Sequence, residues 1–108
     1  MRNFESVRKI IKPYILKVAK EMNIDIEEVL LFGSRARGSF DEKSDWDILV
    51  IVAVSMDREK KQEFIVRIRR HLPHIPMDII VKGRDELKDY ENFYGTATRE
   101  ALKEGIPL

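Results

Sequence analysis

The run from Trp46 to Val54, WDILVIVAV, constrains the fold of this chain more than any other segment. After Asp47 it is apolar at every position, so neither face of the strand that it predicts can lie against water. Such a strand belongs at the centre of a sheet that is covered by helices on both sides. With 108 residues, of which 44% are hydrophobic, the chain can supply that cover within one domain.

Hydrophobic periodicity along the rest of the chain predicts two more strands and three long helices. The predicted strands are Glu28–Phe32, Trp46–Val54 and Met77–Val81. The predicted helices cover residues 4–22, 57–72 and 92–104, with Asp57 as the N-cap of the second and Gly105 after the last. We therefore predict an α/β (α+β) fold, a small mixed three-stranded sheet flanked by helices, as a single domain over residues 1–108.

Composition excludes several classes of function. The chain has no cysteine, which removes disulfide scaffolds, thiol nucleophiles and thiolate zinc sites. Its 20 basic and 19 acidic residues give a net charge of +1, so we expect no direct nucleic-acid binding. No stretch approaches the about 18 apolar residues of a membrane span, so we expect a cytoplasmic protein without a membrane partner.

Three carboxylates are expected to meet at one edge of the predicted sheet. The first strand ends at Gly33 and the second begins near Asp45, so as neighbours these two strands are antiparallel. The helix that follows is a crossover, which makes the third strand parallel to the second and brings Asp78 near Asp45 and Asp47. Because side chains alternate along a strand, Asp45 and Asp47 project to the same face.

This cluster predicts a site for a metal and a phosphate. Three carboxylates without histidine or cysteine repel one another unless a cation is present, and they suit a hard ion such as Mg²⁺. Next to them, Gly33 allows close approach of a ligand to the backbone, and Ser34 offers a hydroxyl and an N–H to phosphate oxygens. A metal beside a phosphate cradle indicates a nucleotide.

The same residues resemble a known signature. Gly33-Ser34, ten residues and then Asp45-Trp46-Asp47 is similar to the G-S-x10-D-x-D motif of the DNA polymerase beta nucleotidyltransferase superfamily. The runs GSRARGS and SDWDILV are especially similar to the minimal nucleotidyltransferases, small prokaryotic proteins that are often paired with a HEPN-domain protein. The resemblance covers essentially the whole chain, and Asp78 fits the third carboxylate of the superfamily.

The resemblance implies a role for each residue of the motif. Gly33 and Ser34 would hold the β and γ phosphates of a triphosphate, for which ATP is our expectation. Asp45, Asp47 and Asp78 would ligate two Mg²⁺ ions, and Asp78 would also take the proton from the acceptor hydroxyl.

Two arginines follow the Gly-Ser pair, and only one of them is expected to face the ligand. Of Arg35 and Arg37, we favour Arg37 for contact with phosphate oxygens.

The predicted function is transfer of AMP from ATP to a hydroxyl of a partner. By resemblance, the partner is a HEPN-type toxin modified on a tyrosine, so that the chain acts as an antitoxin. The alternative is a non-catalytic antitoxin that binds nucleotide and masks its toxin by contact. An apolar, aromatic C-terminal segment is the predicted partner surface. Its members are Tyr90, Phe93, Tyr94, Ile106 and Leu108.

Other motifs have simpler explanations. A Walker loop is excluded because Ser39 stands where that motif requires lysine. His71 and His74 flank a proline that breaks their helix, so we expect a solvated helix end rather than a metal site. Trp46 is expected in the core rather than as a platform for a base.

Overall fold

The structure, a computed structural model, is a four-stranded sheet with helices against both faces. It describes residues 4–38, 44–90 and 96–108, with side chains described for 9–38, 44–88 and 96–108. The helices are α1 (Phe4–Glu21), α2 (Gly33–Arg37), α3 (Arg58–His71) and α4 (Ala97–Glu104), and a 3₁₀ helix covers Arg84–Tyr90. The strands are β1 (Ile26–Phe32), β2 (Trp46–Val52), β3 (Met77–Gly83) and β4 (Ile106–Pro107). Within these described ranges, no helix is long and apolar enough to cross a membrane.

The sheet is mixed, in the order β3-β2-β1-β4. β1 runs antiparallel to both β2 and β4, while β3 runs parallel to β2 after the α3 crossover. This arrangement confirms the predicted α+β architecture and the predicted strand directions. The strand count was wrong, because four strands are present rather than three. The missed strand, β4, has only two residues, too few to show any periodicity in the sequence.

The central strand β2 is buried on both faces, as the sequence predicts. Every residue from Ile48 to Val52 is at most 1% exposed. Ile48 and Val50 belong to the larger core under α1 and α3, whereas Leu49 and Ile51 belong to a smaller core under α4 and the 3₁₀ helix. The strand ends at Val52, earlier than predicted.

The crossover helix α3 begins and packs as expected. The side chain of Asp57 accepts a hydrogen bond from the Lys60 backbone N–H at 2.8 Å, which confirms the predicted N-cap. Phe64 and Ile68 lie on the side of this helix that faces the sheet, and both are fully buried. Because α3 lies on one face between two parallel strands, it fixes the register that brings the starts of β2 and β3 together.

Of the two described C-terminal residues of the predicted partner surface, Ile106 is exposed as expected, whereas Leu108 closes the core. Leu108 is buried, its N–H donates to the Val29 carbonyl at 2.9 Å, and Lys12 donates to the Leu108 carbonyl at 2.8 Å. The prediction that Leu108 belongs to an exposed partner surface was therefore wrong. Phe93, Tyr94 and the side chain of Tyr90 lie outside the described residues, and so does the start of the predicted last helix. Its described part, α4, begins after Thr96, whose hydroxyl accepts from the Arg99 N–H.

We predict that Gly105→Ala lowers the free energy of unfolding by about 1–3 kcal/mol, a typical cost of overpacking. The added Cβ would overlap the Ala101 carbonyl oxygen and press on Leu30 Cβ, so the end of α4 would have to move away from β1. Urea denaturation measures the change. The control Glu104→Ala alters an exposed residue of the same turn and should stay within about 0.5 kcal/mol of the original chain. Equal stability of Gly105→Ala and the original chain would contradict this packing.

Candidate active site

The end of β1 requires glycine for two separate reasons. Gly33 follows Phe32 with φ of +74°, a left-handed backbone conformation that residues with a side chain rarely adopt. In addition, a Cβ built on Gly33 would collide with the carboxylate oxygen Oδ2 of Asp47. The carboxylate of Asp47 therefore lies directly against the backbone at the predicted phosphate cradle.

Asp47 and Asp78 occupy matching positions on neighbouring strands. β2 and β3 pair with Asp47 opposite Asp78, and β1 and β2 pair with Phe32 opposite Asp47. Trp46, the residue before Asp47 on β2, is buried in the core under α1 and α3, and side chains alternate along a strand. Asp47, and Asp78 opposite it, therefore lie on the other face of the sheet, toward α4. Gly33, Asp47 and Asp78 thus form a row across the sheet, which we call the carboxylate row.

The electrostatic environment of Asp47 is unfavourable to its charge. Burial is the largest cause that raises the pKa of Asp47 above its ordinary value of 3.8, because a half-buried carboxylate loses part of its hydration. The negative charges of Asp78, Asp45 and Glu100 raise this pKa further, and the positive charge of Arg37 opposes them. The site therefore holds a concentration of negative charge that the isolated protein does not fully neutralise.

Asp45 contributes charge to the site from a more open position. It is exposed, just before β2, and its carboxylate acts on Asp47 through space. Within residues 9–38, 44–88 and 96–108, no three histidine or acidic side chains are gathered into a ready ligand set. The donor chemistry nevertheless fits a hard divalent cation, because the donors are carboxylate oxygens and a cation would relieve the repulsion around Asp47.

The two arginines of α2 have different surroundings. Arg35 donates to the Ser44 carbonyl at 3.1 Å, and its guanidinium lies 4.4 Å from the ring centroid of the buried Trp46. These contacts tie Arg35 to the chain just before β2. Arg37 instead reaches α4 and forms an ion pair of 2.6 Å with Glu100. Of the two, the structure brings Arg37 into the electrostatic environment of Asp47.

The remaining residue of the predicted cradle, Ser34, is the second residue of α2. It is half-buried and directly follows Gly33, and its carbonyl accepts the Gly38 N–H that closes this short helix. Gly38 also has a positive φ, of +78°, but a Cβ there would meet nothing within 4 Å. The two glycines of GSRARG therefore share a backbone conformation and differ in their surroundings.

Space for a ligand lies on the α4 side of Arg37, although Gly33, Asp47 and Asp78 do not line it. A cavity of about 370 Å³ between α2 and α4 is lined by residues that include Arg37, Glu100 and Lys103. Glu100 has no counterpart in the sequence-based prediction, since it lies far along the chain in a charged helix and no motif distinguishes it. Only the packing of α4 over the sheet brings it to the site.

The alternative motifs remain outside this region. His71 and His74 are exposed at the end of α3, and the ring of His71 stacks on Tyr14 with centroids 5.2 Å apart. Trp46 is 4% exposed, which confirms its predicted place in the core.

Comparison with known proteins identifies relatives of both the sequence and the fold. The "Putative protein adenylyltransferase MJ0141" of Methanocaldococcus jannaschii is 37% identical over 57 residues, which are 53% of this chain and 58% of that protein. The chain thus matches little more than half the length of this relative.

Two solved structures share the fold at low sequence identity. A "putative minimal nucleotidyltransferase" has a TM-score of 0.64 at 22% identity and covers 99% of this chain and 97% of its own. A toxin-antitoxin structure with AMP-PNP has a TM-score of 0.59 at 20% identity over 88% of this chain and 69% of its own. The model of the nucleotidyltransferase domain family matches residues 12–106, nearly the whole of the sequence. On this match and this fold, the chain belongs to the nucleotidyltransferase domain family.

Proposed function

We propose that this protein transfers AMP from ATP to a hydroxyl group of a partner protein, in a reaction that depends on Mg²⁺. The observation that carries the proposal is the carboxylate row, in which Gly33 allows the carboxylate of Asp47 to lie against the backbone beside Asp78. Neighbouring carboxylates repel one another unless a cation neutralises them, and a metal ion held by them would orient a triphosphate bound at the adjacent turn.

In this proposal, the triphosphate binds at the start of α2. Gly33 makes room for the Asp47 carboxylate at the start of α2, Ser34 offers its hydroxyl, and Arg37 supplies positive charge to the phosphate oxygens. Arg37 is half exposed in its ion pair with Glu100, so its guanidinium can exchange that partner for phosphate at little cost. The adjacent cavity leaves room for the rest of the nucleotide.

Asp45, Asp47 and Asp78 would hold two Mg²⁺ ions. When bound, such ions neutralise charge on phosphate and carboxylate oxygens and orient the groups that react. The raised pKa of Asp47 supports this role, because burial and neighbouring acidic groups make its carboxylate the one that benefits most from a cation.

The transfer requires one displacement at the α phosphorus of ATP. The acceptor oxygen forms a bond to this phosphorus while the bond to the bridging oxygen breaks and pyrophosphate leaves. Asp78 lies at the end of the carboxylate row and takes the proton of the acceptor hydroxyl. The products are adenylylated acceptor, pyrophosphate and one proton, and no covalent intermediate with this chain is needed.

The acceptor we propose is a tyrosine of a HEPN-type toxin, so that the protein acts as an antitoxin. The HEPN type and the tyrosine rest on the sequence resemblance, and two observations support a protein acceptor in a toxin-antitoxin pair. The relative MJ0141 carries the name of a protein adenylyltransferase, and one solved structure of the same fold is a toxin-antitoxin complex with AMP-PNP. Covalent modification of the toxin is distinguishable from masking by contact, because it leaves a permanent change of mass.

The first test is coexpression with the product of the neighbouring reading frame, followed by intact mass measurement of both chains. We expect the partner to gain the mass of one or more AMP groups. With Asp78→Asn we expect no gain in mass while ATP binding persists, because Asp47 and the phosphate cradle remain. A partner that stays unmodified in a stable stoichiometric complex would support masking by contact instead.

A second prediction uses Gly33, the first residue of α2, and Gly38, which directly follows α2, as a matched pair. Millimolar ATP with Mg²⁺ should raise the melting temperature of the original chain, by an amount equivalent to about 2.7 kcal/mol when the ligand is at 100 times its Kd. Gly33→Ala should abolish this rise, because its Cβ meets Asp47. Gly38→Ala imposes similar backbone strain without that collision, so it should lower the basal melting temperature and retain the rise. Equal responses of the two variants would contradict the proposed cradle.

A third prediction follows from the raised pKa of Asp47. In the absence of metal, Asp47→Asn should melt at a higher temperature than the original chain at pH 7, and its transfer activity should be lost. The pKa of Asp47 is higher in the folded state than in the unfolded state, so the folded state holds the proton more tightly. The stability of the protein therefore falls as pH rises from 3.8 through the folded-state pKa. The advantage of Asp47→Asn should therefore shrink as pH falls toward 4.

Asp85 provides the opposite control for that experiment. A hydrogen bond from Ser55 lowers the pKa of Asp85, so its charged form favours the folded state at neutral pH. Asp85→Asn should melt at a lower temperature than the original chain at pH 7. If Asp47→Asn melted no higher than the original chain while Asp85→Asn behaved as expected, the unfavourable environment assigned to the Asp47 charge would be wrong.

A further inference from the structure

The proposed function sets the side from which an acceptor must approach, and the following inference rests on that function. The phosphate cradle lies on the β1 side of the carboxylate row, and Asp78 lies at the other end on β3. In an in-line displacement the entering and leaving oxygens are on opposite sides of the phosphorus. Because pyrophosphate leaves on the side of Gly33, the acceptor hydroxyl enters from the side of β3.

The strand on that side is an edge of the sheet. β3 has seven residues and pairs with β2, and no other strand within the described ranges pairs with its outer side. The Trp46 N–H donates to the Pro76 carbonyl at 2.8 Å, which fixes the alternation of the parallel ladder. The backbone N–H and C=O groups of Asp78 therefore bond to β2, while those of Ile79 and Val81 point away from β2.

Side chains of the described residues bond to the backbone at both ends of this edge. Arg69 donates to the Met77 carbonyl at 3.0 Å, and the Gly83 N–H donates to Glu86 at 2.9 Å. Between these ends, Ile79 and Val81 present the regular donor and acceptor pattern that a further strand requires.

The other edge of the sheet is protected in a way that β3 is not. β4 has two residues, one of which is Pro107, and both features are common devices against unwanted strand pairing. β3 is longer and contains no proline. β3 therefore combines the predicted catalytic carboxylate of Asp78 with an outer side that no strand of the described residues pairs.

A hollow for side chains lies at the start of the same strand. It has a volume of about 360 Å³ and opens beside Asp45. Its other walls are mainly apolar, from Leu72, Ile75 and Met77, and Arg69 adds a positive charge. A segment that reached the carboxylate row along β3 would therefore find a place for a neighbouring side chain.

We propose that the acceptor is bound as an extended polypeptide segment that adds a strand to the outer edge of β3. Neighbouring strands are about 4.8 Å apart, and paired residues project to the same face. A hydroxyl-bearing residue opposite Asp78 would therefore stand next to that carboxylate, on the side away from the phosphate cradle. Backbone hydrogen bonds would hold the segment, and the hydroxyl would be the group that receives AMP.

The test compares Val81→Pro with Val81→Ala. Both variants remove the same buried apolar side chain, but only proline removes the outward N–H and places a ring at the edge. The probe is a library of heptapeptides with tyrosine, serine or threonine at the centre and mixed flanking residues, labelled from ATP with Mg²⁺. We expect the original chain and Val81→Ala to label a subset of peptides and Val81→Pro to label it at least tenfold more slowly.

The rise in melting temperature with ATP and Mg²⁺ separates a failure of this proposal from a failure of the proposed function. If ATP gives no rise with the original chain, the nucleotide assignment fails. If the rise is present but no peptide is labelled, or if Val81→Pro labels as fast as Val81→Ala, strand addition is overturned. Should Val81→Pro lose the rise through misfolding, hydrogen exchange of the original chain decides. With a labelled peptide and AMP-PNP, the Ile79 and Val81 amides should exchange at least tenfold more slowly, and unchanged exchange would overturn the proposal.

Discussion

The burial of β2 on both of its faces is the constraint on which the rest of the structure depends. Leu49 and Ile51 face one core, while Ile48 and Val50 face the other. Each fully buried aliphatic side chain stabilises the folded state by about 1.5–3 kcal/mol relative to an exposed one. A shift of register by one residue would exchange the two faces and drive Asp47 into the core under α1 and α3. The cores on both sides therefore fix the position of the carboxylate at the start of the strand.

The candidate site stands where this burial ends. Asp47 is the first residue of β2 on the α4 face, so it is only half-buried and is still held by a fully buried strand. Its neighbours in the pairing, Phe32 and Asp78, are set by the antiparallel and parallel ladders. The strands thus hold the Asp47 carboxylate partly buried and close to other negative charges, and burial first and these charges second raise its pKa. Repulsion of this kind lowers stability in the absence of a ligand and becomes useful once a cation is present.

The order of the strands also makes the two ends of the carboxylate row different. Phosphate would be received at the turn after β1, and the opposite end of the carboxylate row lies on an edge strand. Among the described strands, none pairs with the outer side of β3, the strand on which Asp78 lies. The Arg37–Glu100 ion pair adds an exchangeable contact at the phosphate side, because both partners are partly exposed and their attraction is weak in water.

The sequence by itself determined the central strand, the α3 crossover with its Asp57 cap and the close approach of Asp47 to Asp78. These features follow from local composition, from alternation along strands and from the handedness of strand-helix-strand connections. It also marked Gly33, although the collision with Asp47 is visible only once the strands are paired.

Tertiary structure alone decided β4, the burial of Leu108 and the place of Glu100 beside Asp47. The physical reason is that each of these depends on contacts between residues far apart in the chain. A two-residue strand forms because β1 offers it an edge, and a charged helix face becomes part of a site because α4 packs there. No local pattern of residues contains that information.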